Sequence, residues 1–261
     1  MQYMGSKNKF AKELIPIIQN YITDNTKGYL EPFVGGANVI DKINCNNKIG
    51  CDIHTELIEL LKYAQNNYNK LPLTISEEEY NNVKNNKDNY PKWYVGLVGF
   101  CATFGCKYFG GYGRRYSRKN NMPIDVPAGA INNLRKQGPN LKDIKFVNCS
   151  FLDLPIDKIK GYVIYCDPPY RDTTKYSTKN FPYDLFYDWC RKLSKNNVVL
   201  VSEYNMPDDF ICIWKKSAKI NIGPKNSKKP IRIEKLYIKH WYTKETNKRE
   251  IKIKEIDKYD C

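Results

Sequence analysis

At 261 residues with 41% hydrophobic side chains, the chain is long enough for one α/β domain carrying a sizeable insertion. A formal charge of +15, with 21 Tyr and 10 Phe as stacking surfaces, points to a polyanionic partner, although the wealth of Lys, Asn, Ile and Tyr is also what an AT-rich coding sequence leaves behind. Nine scattered cysteines without a CxxC pair, and histidines only at 54 and 240, argue against a zinc site; the odd cysteine count reads as reduced thiols in a cytoplasmic protein, and the longest apolar stretch, 93–104, is too short and glycine-broken to span a bilayer.

Apolar positions Phe10, Ala11, Leu14, Ile15, Ile18 and Tyr21 recur at helical spacing, which predicts a helix over 10–21 kinked at Pro16. Residues 29–34 read as a short strand ending at Gly35-Gly36, with a brief helix over 37–43. A second strand, 48–51, stops at Asp52, and 55–68 is an amphipathic helix. This β-α-β-α order predicts a parallel sheet. From about 71 to 140 the chain turns polar and rich in Asn and Gly, around one apolar helical piece at 93–104, expected to be the core of an insertion. Strands 144–148 and 162–166, a helix at 185–193 and a strand at 198–202 follow. The rest reads as strands 211–214, 233–242 and 251–256 with a basic loop at 223–232.

The run GYVIYCDPPY at 161–170 is the most informative piece of chemistry. An apolar strand ends at Asp167, and Pro168-Pro169 forbid further ladder pairing, so the carboxylate lies at the strand's C-terminal lip, where open parallel sheets bind ligands. The Asp167 carboxylate and Pro168 carbonyl could accept both N–H groups of an exocyclic amine, and Tyr170 could stack on an extruded base. A strand-exit turn without chemistry has the same composition. Cys166 precedes the acid on the strand, so its side chain points to the other face and is expected in the core rather than as a nucleophile. Upstream, EPFVGGA at 31–37 is a glycine turn between a strand and a helix, and Asp52 follows Gly35 at the spacing of a ribose-binding acid. A plain β–α turn and a helix N-cap are the alternatives for these two features.

YMGSK at 3–7, EPFVGGA at 31–37, CDI at 51–53, CDPPY at 166–170 and SEYNMP at 202–207, in this order, resemble the Dam-type DNA N6-adenine methyltransferases, above all their compact phage-encoded and restriction-associated members. The resemblance covers nearly the whole chain. It implies a class I S-adenosylmethionine-dependent methyltransferase sheet, mostly parallel with an antiparallel edge strand. The catalytic domain would comprise 1–70 and 141–261, and a target-recognition domain would be inserted at 71–140. It further implies S-adenosyl-L-methionine as cofactor, double-stranded DNA as partner, flipping of the target adenine, and a short palindromic site such as GATC. No metal, membrane or obligate protein partner is implied, and the cytoplasm, of the host cell if the chain is phage-encoded, is the expected compartment. Tyr3 and Lys7 match the segment that folds over the cofactor, Phe33 and Gly35 the turn beside its methionine part, and Asp52 the ribose-binding acid. Asp167, Pro168 and Tyr170 match the residues that hold the target adenine, Asp167 also bordering the cofactor. One departure concerns the acid that usually precedes the aromatic after the first strand beyond the insertion. That place reads Cys149-Ser150-Phe151, so Phe151 is kept as a cofactor contact, and either Asp153 replaces the acid or its contact is lost.

Between 107 and 145, nine Lys and Arg face two Asp, densest in KYFGGYGRRYSRK. Cations among glycines and aromatics suit a hairpin pressed on a phosphate backbone, with Arg114, Arg115 and Arg118 as candidates for reading bases or gripping phosphates. A solvated basic loop is the alternative, as it is for the second cluster of Lys225, Lys228, Lys229 and Arg232. Amino-methylating enzymes acting on RNA, protein or cytosine usually carry Asn or Ser in place of Asp167. A methylase-derived DNA-binding protein without turnover would leave Asp52 and Asp167 unexplained.

Overall fold

Strand β1 (Gly28–Glu31) is buried at every position, because parallel neighbours flank it on both sides. The computed structural model describes residues 1, 3, 5–117, 119–171, 181–219 and 231–239. The chain divides into two compact units, 1–167 and 168–261.

In the first unit β2 (Lys48–Asp52), β5 (Ile144–Asn148) and β6 (Tyr162–Cys166) join β1 in the order β5-β2-β1-β6, all parallel. Helix α1 (Ala11–Gln19) is shorter than its apolar stripe predicts and carries Pro16 inside. The strand expected over 29–34 stops at Glu31, since Pro32 has no amide to give and Gly35 and Ala37 adopt positive φ. The helix expected over 37–43 is reduced to a 3₁₀ turn, Ile40–Lys42. Helix α2 (Thr55–Asn67) forms as its periodicity indicates.

Residues 71–140 hold more helix than their polar composition suggests. Helix α3 (Glu77–Asn85) is capped by the Ser76 hydroxyl, which accepts from the Glu79 amide. Helix α4 (Lys92–Cys101) is buried from Val95 through Cys101 and packs on α2, so its apolar face is not reserved for residues within 71–140. The Tyr63 and Trp93 rings stack at 3.6 Å across this contact. A short antiparallel hairpin, β3 (Arg114–Tyr116) with β4 (Pro123–Asp125), runs straight into α5 (Val126–Leu141). Asp125 caps that helix, accepting from the Ala128 amide at 2.8 Å. Two glycines and two prolines hide α5 from a periodicity reading, yet Pro127 occupies the first turn, where no amide is needed, and Gly138 lies where a Cβ would meet Tyr68 at 2.3 Å.

In the second unit, helix α6 (Tyr183–Leu193) buries Phe186, Tyr187, Trp189, Cys190 and Leu193. Strands β7 (Val198–Ser202), β8 (Phe210–Lys219) and β9 (Ile231–Lys239) pair antiparallel in the order β7-β9-β8. Strand β8 outruns the expected 211–214 because β9 gives it a partner to its last residue. Arg191 donates to both Asp209 oxygens at 2.8 and 3.0 Å, and Lys239 joins the same carboxylate. The two cations hold the Asp209 carboxyl well below the usual range. The fold is thus α/β, with a mostly parallel sheet and antiparallel edge pairing. The strand expected at 251–256 and most of the basic loop at 223–232, with Lys225, Lys228 and Lys229, lie outside the described residues.

The α2–α4 contact depends on one missing atom. A Cβ at Gly96 would lie 2.2 Å from the Glu56 backbone oxygen. Gly96→Ala is therefore expected to push the helices apart and cost roughly 1–3 kcal/mol in urea unfolding; an unchanged midpoint would show that the helices are not in contact there.

Candidate active site

The C-terminal ends of β1, β2 and β6 gather the first unit's candidate residues. Beyond β1 the chain turns through Phe33, Val34, Gly35 and Gly36. The Val34 amide donates to the Cys51 carbonyl at 2.8 Å, and the Gly35 amide to Asp52 Oδ2 at 3.1 Å. Gly35 has φ +47°, and a Cβ there would meet the Tyr3 ring at 2.8 Å. The turn therefore needs glycine both for its backbone and for the aromatic laid over it. Tyr3 also packs on Phe100, with ring centroids 5.6 Å apart.

Asp52 is not the N-cap of α2; His54 occupies that position. Instead Asp52 Oδ1 accepts the His54 amide at 3.0 Å while Oδ2 holds Gly35, so one carboxylate braces two loops. Burial pushes its pKa up, against the pull of these backbone donors. Phe33 and Phe151 face each other at 5.5 Å, placing the two expected aromatic contacts together. The acid next to them is engaged locally. Asp153 accepts the Ser150 amide at 3.1 Å while Ser150 caps the turn Phe151–Asp153.

Lys7 and Asp167 meet at 2.8 Å, with the lysine side chain only 7% exposed. The ammonium compensates the carboxylate's charge and fixes its position. The N-terminal segment thus touches the glycine turn through Tyr3 and the acid at the end of β6 through Lys7. Cys166 is fully buried, in keeping with a core role.

Glu31 does not stand out as a candidate in the sequence. It is 3% exposed and accepts from the Tyr29 hydroxyl at 2.7 Å. Burial, with the nearby Asp41 and Asp167 charges, raises its pKa well above the ordinary value and outweighs the Tyr29 hydrogen bond. One signal of its role is local: a charged residue ends a strand flanked on both sides by parallel neighbours. Gln137 gives no such signal; it is a polar side chain buried in the last turns of α5.

In the second unit Tyr170 is nearly buried. Its hydroxyl donates to Glu234 Oε2 at 2.9 Å, and its ring meets Tyr204 edge-on at 4.6 Å. The Pro169 carbonyl accepts the Tyr183 hydroxyl at 3.1 Å. A cavity of about 250 Å³ is lined by Arg171, Tyr187, Glu203, Asn205, Met206 and Pro207, most of which belong to the SEYNMP segment.

The hairpin separates the arginine candidates. Arg114 donates to both carboxylate oxygens of Glu77 on α3. Arg115, one residue on and therefore on the opposite face, is exposed and pairs with no carboxylate among the described residues. Arg118 lies outside the described residues, as does the side chain of Arg232.

A family model, D12 class N6 adenine-specific DNA methyltransferase, matches residues 3–97 and 93–256. The chain belongs to that family. As a D12-class chain it is similar to the type II methyltransferase M.FokI of Planomicrobium okeanokoites, 24% identical over an aligned length of 208 residues, with 73% of this chain and 31% of M.FokI covered. It thus spans about a third of that relative's length. Among solved structures it is similar to TrmN from Thermus thermophilus, with a TM-score of 0.40 at 10% identity, covering 89% of this chain and 48% of that one. A putative methyltransferase from Thermoplasma acidophilum gives a TM-score of 0.24 at 7% identity over 44% and 54% of the two chains.

The raised pKa of Glu31 gives a signed expectation. An acid whose folded pKa exceeds its unfolded value of about 4.5 binds more protons folded than unfolded, so its contribution to stability declines as pH rises through that window. Glu31→Gln abolishes this titration. Its melting temperature relative to the parent is expected to rise as the pH increases above about 4.5; a difference constant with pH would mean that Glu31 ionises in the folded state without penalty.

Proposed function

We propose that the chain is a site-specific DNA adenine-N6 methyltransferase that takes its methyl group from S-adenosyl-L-methionine. The observation that carries this reading is the N-terminal segment, which lays Tyr3 on the glycine turn and Lys7 on Asp167. One short segment thereby links a cradle for the cofactor to an acceptor for the substrate amine.

The turn suits the cofactor chemically. Its two glycines let the Tyr3 side chain lie directly on the backbone, and Phe33 with Phe151 adds apolar surface. Each Asp52 oxygen accepts one backbone N–H and keeps a further lone pair, so the carboxylate can take a ribose diol. Those hydroxyl donors would offset the burial that now raises its pKa. When bound, S-adenosylmethionine supplies a methyl group already activated as a sulfonium.

The chain's residues then orient the acceptor. Adenine's amino nitrogen is a weak nucleophile because its lone pair is delocalised into the ring. Asp167 and the Pro168 carbonyl take its two N–H groups and help to localise that pair, and Tyr170 stacks on the base flipped from the duplex. No strong base is needed, since the proton leaves after transfer. The basic hairpin grips the duplex, with Arg115 rather than Arg114 as the arginine available to it. A short palindrome such as GATC is the first site to assay.

Asp167→Ala is expected to keep cofactor binding and lower methyl transfer to duplex DNA by roughly 10²-fold or more, with Asp167→Asn milder because an amide oxygen still accepts. Near-normal turnover of Asp167→Ala would remove this residue from the reaction. RNA, protein and adenine-free G·C duplexes in the same tritiated-methyl assay test the competing substrates.

The hairpin arginines should differ on a randomised duplex library. Arg115→Ala is expected either to weaken all duplexes alike and lower the salt slope by about one, or to relax choice at one base pair at about 1–3 kcal/mol. Arg114→Ala should act mainly by releasing the hairpin from Glu77. If Arg115→Ala leaves affinity, salt slope and site preference unchanged, DNA is read elsewhere.

A further inference from the structure

The sheet sets where each part of a bound cofactor can lie. Strands β5, β2, β1 and β6 are parallel neighbours, about 4.8 Å apart, so their C-terminal ends form one row. In the function proposed above, Asp52 at the end of β2 takes the ribose, and Asp167 at the end of β6 borders the reacting methyl group. The purine is joined to the ribose on the side away from the sulfonium. It therefore continues the row past β2, over the end of β5. Register sets Asp52 beside Asn148, and the Cys149 amide donates to the Asp52 carbonyl at 3.1 Å, so residues 149–153 come next along the row.

Most polar side chains there are already engaged. Asn148 donates through Nδ2 to the Asp52 carbonyl at 2.9 Å, and its Oδ1 accepts the Thr55 hydroxyl at 2.9 Å. The Cys149 thiol is hydrogen-bonded to Cys51. Asp153 turns back to accept the Ser150 amide at 3.1 Å. Phe151 is buried against Phe33 and offers no polar side-chain atom. The Ser150 hydroxyl is different. It accepts the Leu152 amide at 3.2 Å, is half-buried, and keeps a second lone pair and its own proton for a ligand.

We infer that Ser150 is the side chain that meets the cofactor's purine amino group, and that it makes the site tolerant of cofactors altered at that group. The inference rests on the function proposed above. A carboxylate at this place would select strongly for the amino group, because a purine without it leaves a desolvated charge unpaired. A neutral hydroxyl does not. Ser150 is satisfied by the Leu152 amide whether or not a ligand donates to it, and its partial exposure lets water take the remaining lone pair. Losing the purine amino group then costs one neutral, half-solvated hydrogen bond and leaves nothing stranded.

The test is calorimetry on the full chain with two ligands: S-adenosylhomocysteine, and its analogue with hydrogen in place of the purine amino group. The ring nitrogens are the same acceptors in both, so only the amino group is compared. The parent is expected to prefer S-adenosylhomocysteine by no more than about fivefold. Ser150→Asp keeps a cap for the Leu152 amide and is expected to raise that preference to about tenfold or more. Ser150→Ala is expected to bring it close to one, and decides the matter if Ser150→Asp does not fold. A parent preference above about tenfold overturns the proposal; its loss in Asp153→Asn would then name Asp153 as the acceptor. Ser150 variants that fold and keep the parent's ratio overturn it as well, since the purine then lies elsewhere. A parent chain that binds neither ligand would sink the function proposed above, whereas one that binds S-adenosylhomocysteine and strongly rejects the analogue would sink only this inference.

Discussion

The left-handed backbone at the end of β1 is the constraint on which the rest of the site depends. Gly35 and Ala37 both have positive φ, which glycine adopts freely but alanine only under constraint. Asp52 takes the Gly35 amide, Tyr3 covers the glycine, and Gln137 takes the carbonyls of Gly36 and Ala37. These three braces come from β2, the N-terminal segment and α5. A turn held from three separate stretches of sequence keeps its amides and carbonyls in fixed places, which is what binding a charged, flexible small molecule requires.

Charge is distributed unevenly around that turn. The chain as a whole is strongly cationic, yet the ends of β1, β2 and β6 carry Glu31, Asp52 and Asp167. Three carboxyls in a restricted space are tolerable only with separate solutions. Glu31 is pushed toward its neutral form and bonded to Tyr29, Asp52 is bonded to backbone amides, and Asp167 has a buried lysine. Arg115 on the hairpin is by contrast exposed, where it meets water and, in the function proposed, phosphate.

The segment from 71 to 140 shows why polar composition is a poor guide to order. Its helices are short or glycine-bearing, and they are held by what they touch. Gly96 admits the backbone of Glu56, Gly138 admits Tyr68, and Ser76 and Asp125 cap α3 and α5. Read one residue at a time these glycines look like breaks; in contact with α2 and its neighbours they are the places of closest approach.

The sequence by itself determined the succession of sheet strands along the chain up to β7, the two loops that end in Gly35 and Asp52, and the acid at the end of β6. Each is written in local pattern: apolar runs of strand length, a glycine pair, prolines that stop a ladder. It also carried the ordered motifs of the D12 class, which are contiguous and need no partner to be recognised. Only the tertiary structure decided what each charged or amide side chain faces. That Lys7 meets Asp167, that Asp52 braces the turn instead of capping α2, that Asp153 turns back to Ser150, and that Arg114 is held by Glu77 while Arg115 is not, all depend on contacts that no local pattern announces. Gln137 is the clearest case. Nothing in a polar helical stretch marks one glutamine as buried, because its burial is a property of the turn that packs against it, a hundred residues earlier in the chain.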